Sequence, residues 1–153
     1  MHSTVQNLIN IDSEIKSSLK KLQIKKIPKI IAVSKTFNMD KIAPLIEYGH
    51  IDYGENKVQE AVDKWTVVKE KNKNIELHMI GKLQTNKVKF AVKIFDYIHS
   101  VDSEKLAKKI SNEQQKQKKN VKIFIQVNIG NEQQKFGVNK SSVSELYSYC
   151  KSL

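Results

Sequence analysis

Polar side chains capable of chemistry stand at the ends of the apolar runs in this sequence. Lys35 follows the apolar run at residues 30–33, separated from it only by Ser34. A lysine amine forms a Schiff base with an aldehyde cofactor when it is partly desolvated and its pKa falls. Position alone leaves two interpretations of Lys35 open: such a reactive amine, or an exposed lysine in a strand–helix loop. Similar strand-end positions are held by Glu55, Asn56, His78, His99, Ser100, Gln126 and Asn128.

Motifs for several other chemistries are missing from the sequence. It has no G-x-G-x-x-G or G-x-x-x-x-G-K-[ST] segment for nucleotide phosphates and no G-x-S-x-G elbow for a hydrolase nucleophile. The four histidines lack metal-ligand spacing, and the single cysteine, Cys150, cannot form a structural zinc site. We therefore expect neither a dinucleotide-binding enzyme nor a metal site.

Helix-like and strand-like segments alternate along the chain with short connections. Apolar residues spaced three and four apart predict a first helix between Leu8 and Leu22, and Pro28 prevents its continuation. Five strand–helix units follow, which favours a single α/β domain with a parallel sheet. The strands are predicted at residues 30–33, 51–53, 75–80, 97–101 and 121–128.

Local signals predict several element ends. Pro44 lies inside the second predicted helix, so we expect that helix to start late or to bend. Ser142 and Glu145 form the pattern of a capping box at the start of the last helix. Three glycines are expected just beyond strand ends, at the edge where α/β folds bind ligands. They are Gly54, Gly81 and Gly130.

Size and composition favour one soluble domain. The chain has 153 residues, of which 39% are hydrophobic and 28% charged, and its apolar runs are far shorter than the roughly 18 residues of a membrane span. A single cysteine and the lack of a secretion-signal pattern predict a cytoplasmic protein with no membrane partner. The net charge is +11, but all 27 basic residues are lysines. Without the arginine that nucleic-acid readers use, the pattern argues against nucleic acid as the primary partner.

Six segments, in order, resemble those of the pyridoxal phosphate (PLP) homeostasis protein family, whose members are relatives of the alanine racemase N-terminal barrel. The first three are A-V-S-K-T at 32–36, Y-G-E-N-K-V-Q-E at 53–60 and H-M-I-G-K-L-Q-T-N-K at 78–87. Because the segments together cover nearly the whole chain from residue 30, the match is more specific than any single motif. The other three lie at 98–103, 126–129 and 135–138.

The resemblance implies a fold and a cofactor site. The fold is a TIM-like (β/α) barrel of PLP fold type III, with PLP at the mouth formed by the carboxyl ends of the strands. Lys35 matches the residue that holds PLP as an internal aldimine, and Asn56 matches a neighbour of the cofactor. His78 and Asn86 match positions near the mouth, although His78 could equally be a barrel-filling residue satisfied by hydrogen bonds. Lys135 matches a lysine of the family's K-x-G segment, a position that could approach the cofactor or equally be a surface charge.

Members of the family are understood to buffer and deliver PLP without turning over a substrate. The resemblance therefore implies a monomeric PLP-binding protein of intracellular PLP homeostasis, with PLP-dependent apoenzymes as candidate partners. A fold-type III racemase or decarboxylase would need a second domain and a second acid–base residue, which the sequence does not display. Three alternatives stay open: such an enzyme, a basic module that binds RNA or DNA, and a fragment without function.

The resemblance also implies a departure at the end of the chain. Family barrels have eight strand–helix units, whereas residues 1–153 supply about five, so we expect one partial barrel domain that lacks the last three units. The family's phosphate-holding residues belong to those units. Weak PLP binding and unpaired edges on the first and fifth strands would follow. A split or decaying gene, a partial gene model or a deliberately shortened chain would each produce this pattern.

Overall fold

The computed structural model describes residues 1–130 and 136–153, which form six α-helices and seven strands. Two short 3-10 helices precede α4 and α6. The elements run in the order α1 (Ser3–Lys21), β1 (Ala32–Val33), α2 (Met39–Glu47), β2 (Asp52–Glu55), α3 (Val58–Lys71), β3 (Glu76–Met79), 3-10 (Thr85–Lys87), α4 (Val88–Ile94), β4 (Tyr97–Val101), α5 (Glu104–Gln117), β5 (Lys122–Ile125), β6 (Val127–Asn128), β7 (Val138–Asn139), 3-10 (Lys140–Ser142) and α6 (Val143–Ser152).

The main sheet has five parallel strands in the order β1-β2-β3-β4-β5, so neighbours in space are neighbours in sequence. A doubly wound sheet would reverse its order at a switch point, whereas an α/β barrel adds each strand to the same edge. The topology therefore confirms the predicted fold class, an α/β fold of the TIM-like barrel type with about five of its strand–helix units. The strands β6 and β7 form a separate parallel pair.

The hydrophobic core lies between the sheet and the helices α3, α4 and α5. Trp65 on α3 is fully buried against Tyr53 of β2, with ring centroids 4.7 Å apart. Because side chains alternate along a strand, Tyr53 and Glu55 face these helices and Gly54 faces the opposite side, which we call the inner face. No helix in the described parts of the chain is both long enough and apolar enough to span a membrane.

The predicted edge strands differ most from the structure. The first strand, expected to be buried over 30–33, is the two-residue β1, in which Val33 is 45% exposed. The fifth predicted strand, 121–128, is divided into β5 and β6, and Phe124 of β5 is 51% exposed. Within the described residues β1 pairs only with β2 and β5 only with β4, so each strand lacks a neighbour on one side. The prediction of unpaired first and fifth strands is thus confirmed for the described sheet.

Three local predictions were wrong. The late start expected for α2 is wrong: the helix begins at Met39, well before Pro44, because a proline removes one helical hydrogen bond without preventing the turns before it, and a bend at Pro44 stays a prediction. The Ser142 side chain makes no capping hydrogen bond to α6, since a 3-10 turn leads into the helix and gives Ser142 a helical backbone instead of an extended one. Gly54 lies inside β2 and not beyond its end.

Candidate functional site

Lys35 lies in a turn directly after β1, at the sheet edge where the parallel strands end. Its side chain is exposed, and within residues 1–130 and 136–153 it makes no hydrogen bond or ion pair. This exposure is the one expected of a lysine in a strand–helix loop, and the reactive amine at Lys35 stays a prediction. The next residue, Thr36, has a left-handed backbone with φ of +66°. That conformation is rare for a β-branched residue and persists only when the surroundings hold it.

Asn56 lies at the same edge, directly after the neighbouring strand β2. Val33 pairs with Gly54, and the Ser34 N–H donates to the Gly54 carbonyl at 2.9 Å, so Lys35 and Asn56 each lie two residues beyond the same rung of the sheet. The Oδ1 atom of Asn56 is buried, and no donor within the described residues reaches it. An unsatisfied buried carbonyl oxygen costs about 1–3 kcal/mol, so a ligand that donates a hydrogen bond here would be stabilised.

Gly81 packs directly on the backbone of Asn56. A Cβ atom at position 81 would lie 2.8 Å from the Asn56 Cα and would also meet the Asn56 carbonyl oxygen. Only glycine allows the loop after β3 to approach the loop after β2 this closely. The prediction that Gly81 lies just beyond the end of a strand is confirmed, since β3 ends at Met79.

His78 lies one rung deeper in the sheet, where it pairs with Gly54 and Tyr97. Its buried ring places Nε2 3.0 Å from Asp52 Oδ1 and Nδ1 3.0 Å from His99 Nε2. The ring also stacks on Tyr97, with centroids 4.3 Å apart and planes 7° apart. Both ring nitrogens therefore have partners, which is the arrangement expected of a barrel-filling histidine.

His78, Asp52, His99 and Lys29 form a network on the inner face of the sheet. Burial and hydrogen bonding together set the charges of its members. Burial lowers the pKa of His78 more than the neighbouring Asp52 raises it, and burial together with His78 lowers the pKa of His99. Burial alone would raise the pKa of Asp52, but hydrogen bonds from His78 and Lys29 outweigh it and lower that pKa. A neutral His78 thus donates from Nε2 to a charged Asp52, and its Nδ1 accepts from the Nε2–H of His99.

Asp52, Glu76 and His78 also present ligand atoms within 4.8 Å of one another, a spacing that would suit a metal ion. The Lys29 ammonium already pairs with both carboxylates, at 3.0 Å from Asp52 and in a closer contact with Glu76. Its hydrogen bond to Glu76 raises the pKa of Lys29 further above its usual value. Because the half-exposed Lys29 supplies the positive charge at this point, the geometry favours an ion-pair network over a cation site.

The structure does not bring all the predicted residues together. Asn86 lies in the 3-10 helix before α4 and lines a cleft with lysines of α5. Lys135 lies outside the described residues. Sequence reasoning missed Lys29 and Asp52, although a carboxylate between two apolar residues of a predicted strand is a signal for a buried polar partner.

Comparisons with known proteins identify relatives of this chain. The family model described as "Alanine racemase, N-terminal domain" matches residues 7–153. The pyridoxal phosphate homeostasis protein of Buchnera aphidicola is 41% identical over 138 residues, covering 84% of this chain and 59% of the relative. That of Pasteurella multocida is 33% identical over 142 residues, covering 92% and 61%. The structure of PipY from Synechococcus elongatus with PLP bound has a TM-score of 0.72 at 32% identity, covering 88% of this chain and 63% of that chain.

Proposed function

The chain belongs to the alanine racemase N-terminal domain family, as its sequence segments predicted, and from this premise we propose that it binds PLP covalently through Lys35. In this proposal it is a monomeric, cytoplasmic protein of PLP homeostasis that turns over no substrate. PLP-dependent apoenzymes would receive the cofactor from it. The chain spans 61% and 59% of the length of two curated relatives named pyridoxal phosphate homeostasis protein, and this similarity supports the proposed role.

The observation that carries the proposal is a lysine amine without a partner within the described residues, two residues beyond the same sheet rung as Asn56, whose buried amide oxygen is unsatisfied. Within the described residues the Lys35 amine has no ion pair to give up before it reacts. After losing a proton to solvent, the Lys35 nitrogen attacks the aldehyde carbon of PLP. A carbon–nitrogen double bond forms, and the aldehyde oxygen leaves as water with the two remaining amine protons.

Asn56 and His78 complete the proposed cofactor site. The buried Oδ1 of Asn56 would accept a hydrogen bond from a donor group of the cofactor, so the residues present fit such a ligand. Asp52 and His99 occupy both ring nitrogens of His78. We therefore propose that His78 shapes the site through the position of its ring, one rung deeper in the sheet, and not through a hydrogen bond to the cofactor. The PipY structure, which contains PLP, supports the choice of cofactor.

Chemical trapping tests the role of Lys35. The 153-residue chain is incubated with PLP, reduced with borohydride and mapped by peptide mass spectrometry, which identifies the lysine that carried the cofactor. We expect label on Lys35 in preference to the other lysines. Lys35→Ala should lose this label, whereas Lys25→Ala, which removes an exposed lysine before β1, should keep it. Label spread evenly over the 27 lysines would mean unselective amine chemistry and would contradict the proposal.

An amino-acid racemisation assay with added PLP tests the claim that no substrate is turned over. We expect the rate with the wild-type chain to equal that of free PLP. A faster rate that disappears in Lys35→Ala would identify a fold-type III enzyme instead.

A further inference from the structure

Glu55 is a fully buried carboxylate behind the Lys35 turn, on the helix-facing side of the sheet. Its Oε1 accepts hydrogen bonds from Ser34 Oγ at 2.7 Å, from Lys64 Nζ at 2.9 Å and from Trp65 Nε1 at 2.9 Å. Bonds to a charged acceptor are shorter and stronger than neutral ones. Three of them on one oxygen fix the position of Ser34, the residue before Lys35, relative to α3.

Two charged side chains of α3 extend this contact to both sides of Lys35. Lys64, whose side chain is 11% exposed, donates to the Ser34 carbonyl oxygen at 2.9 Å. Glu60 accepts from the Thr36 N–H at 3.0 Å and lies 3.4 Å from Lys64 Nζ. The residues before and after Lys35 are therefore both held by the second strand–helix unit.

The held turn has an unfavourable backbone. Thr36 adopts a left-handed conformation, which places its Cβ too close to the neighbouring carbonyl oxygen. A buried ion pair such as Lys64–Glu55 also contributes little net stability, because both charges lose their hydration. Beyond their mutual contact, both members of the pair bind Ser34: Glu55 Oε1 accepts from its hydroxyl and Lys64 donates to its carbonyl. Glu55 Oε1 also accepts from Trp65, and Glu55 Oε2 has no partner within the described residues. Thr36 is held through Glu60, which lies beside Lys64.

We propose that Glu55, Lys64 and Glu60 are positioning residues that hold the turn at residues 34–36 so that the Lys35 amine is presented at the sheet edge. This inference rests on the proposed function and adds the residues that set the position of its reactive group. When the backbone is already ordered, covalent bond formation has to restrict only the lysine side chain. Both the rate and the selectivity of labelling at Lys35 should then depend on these three residues.

Glu60→Ala is the first test, because Glu60 is partly exposed and its loss leaves the buried Glu55–Lys64 pair intact. At limiting PLP, the share of borohydride-trapped label on Lys35 should fall at least about tenfold, the lower end of the effect expected for losing a hydrogen bond to a charged acceptor. The thermal unfolding midpoint should fall by no more than several degrees, so labelling is compared at a temperature where both proteins are folded. Glu70→Ala removes an exposed carboxylate from the same helix and should label like the wild type.

Lys64 provides a second test through conservative replacement. Lys64→Arg keeps a charged donor and should retain selective labelling of Lys35. Lys64→Met removes the donor to the Ser34 carbonyl and should lose the selectivity. If Lys64→Met fails to fold because Glu55 is left without its cation, the Glu60→Ala comparison decides.

The outcomes separate this inference from the proposed function. A wild-type chain that shows no preference for Lys35 would overturn the proposed function, and the positioning role with it. A wild-type chain that prefers Lys35, together with a Glu60→Ala variant that labels Lys35 equally well, would overturn the positioning role alone.

Discussion

His78 shows how the sheet fixes the protonation state of one residue. Its ring is buried, both of its nitrogens have partners, and burial holds its pKa below the usual value. The pKa of His99 is also lowered, mainly by burial and to a smaller extent by His78. The folded protein therefore excludes protons that the same two side chains take up in the unfolded chain below about pH 6.5.

The free energy of unfolding should fall as the pH is lowered from about 7.5 to about 5.5, because the unfolded chain binds more protons in this window. His78→Gln should make this slope shallower. It should also lose about 1–3 kcal/mol at neutral pH, since the Asp52 carboxylate loses its ring donor. Urea unfolding at several pH values measures both effects, with His2→Gln at the exposed amino terminus as the control. A slope that His78→Gln leaves unchanged would show that this ring does not cause the pH dependence.

The sequence predicted the location of Lys35 and Asn56 but not the partners of His78. Strand ends can be recognised from the end of each apolar run, so residues that follow those runs can be assigned to one edge of the sheet. The contact of His78 with Asp52 depends on the register between two strands, which an apolar pattern leaves open. For the same reason the carboxylates that hold Lys29, and the contacts of Lys64, could not be predicted.

At the scale of elements, central strands were predicted more accurately than edge strands. The strand β4 agrees with its prediction residue for residue, and β3 is shorter by one residue at each end. The runs that became β1 and β5 look equally apolar, but each lacks a neighbour on one side within the described sheet. Local composition shows how apolar a strand is, whereas pairing on both sides depends on segments far away in sequence.

A single methyl group added to the loop after β3 should lower both the stability of the protein and its labelling by PLP. Gly81→Ala would place a Cβ against the backbone of Asn56, so we expect about 1–3 kcal/mol of destabilisation and weaker labelling of Lys35 by PLP. Gly49→Ala is the matched control, because its φ of +95° makes alanine unfavourable while no atom lies within 4 Å of the new Cβ. It should lose about 1–2 kcal/mol but leave the labelling selectivity unchanged. Equal labelling by the two variants, measured at temperatures where both are folded, would contradict a cofactor contact at Asn56.

The net charge of the whole molecule predicts how it binds polyanions. A net charge of +11 attracts phosphate backbones through counterion release, but lysines offer no bidentate contact to the bases. We expect weak binding to RNA and to duplex DNA alike, with an affinity that falls steeply between about 50 and about 200 mM salt. Retention on immobilised nucleic acids across a salt gradient measures this dependence.

Single-lysine variants show whether this attraction is diffuse or localised. If the charge acts as a field spread over the surface, Lys105→Ala on α5 and Lys35→Ala at the sheet edge should lower the retention equally, each by the loss of one charge. A preference for one base sequence, retention that persists at high salt, or a much larger effect of one substitution would instead indicate a built nucleic-acid site. Such a result would favour the alternative function, a basic module that binds RNA or DNA. A localised effect of Lys35→Ala would be the strongest evidence for it, because a PLP carrier needs the Lys35 amine free to react with its cofactor.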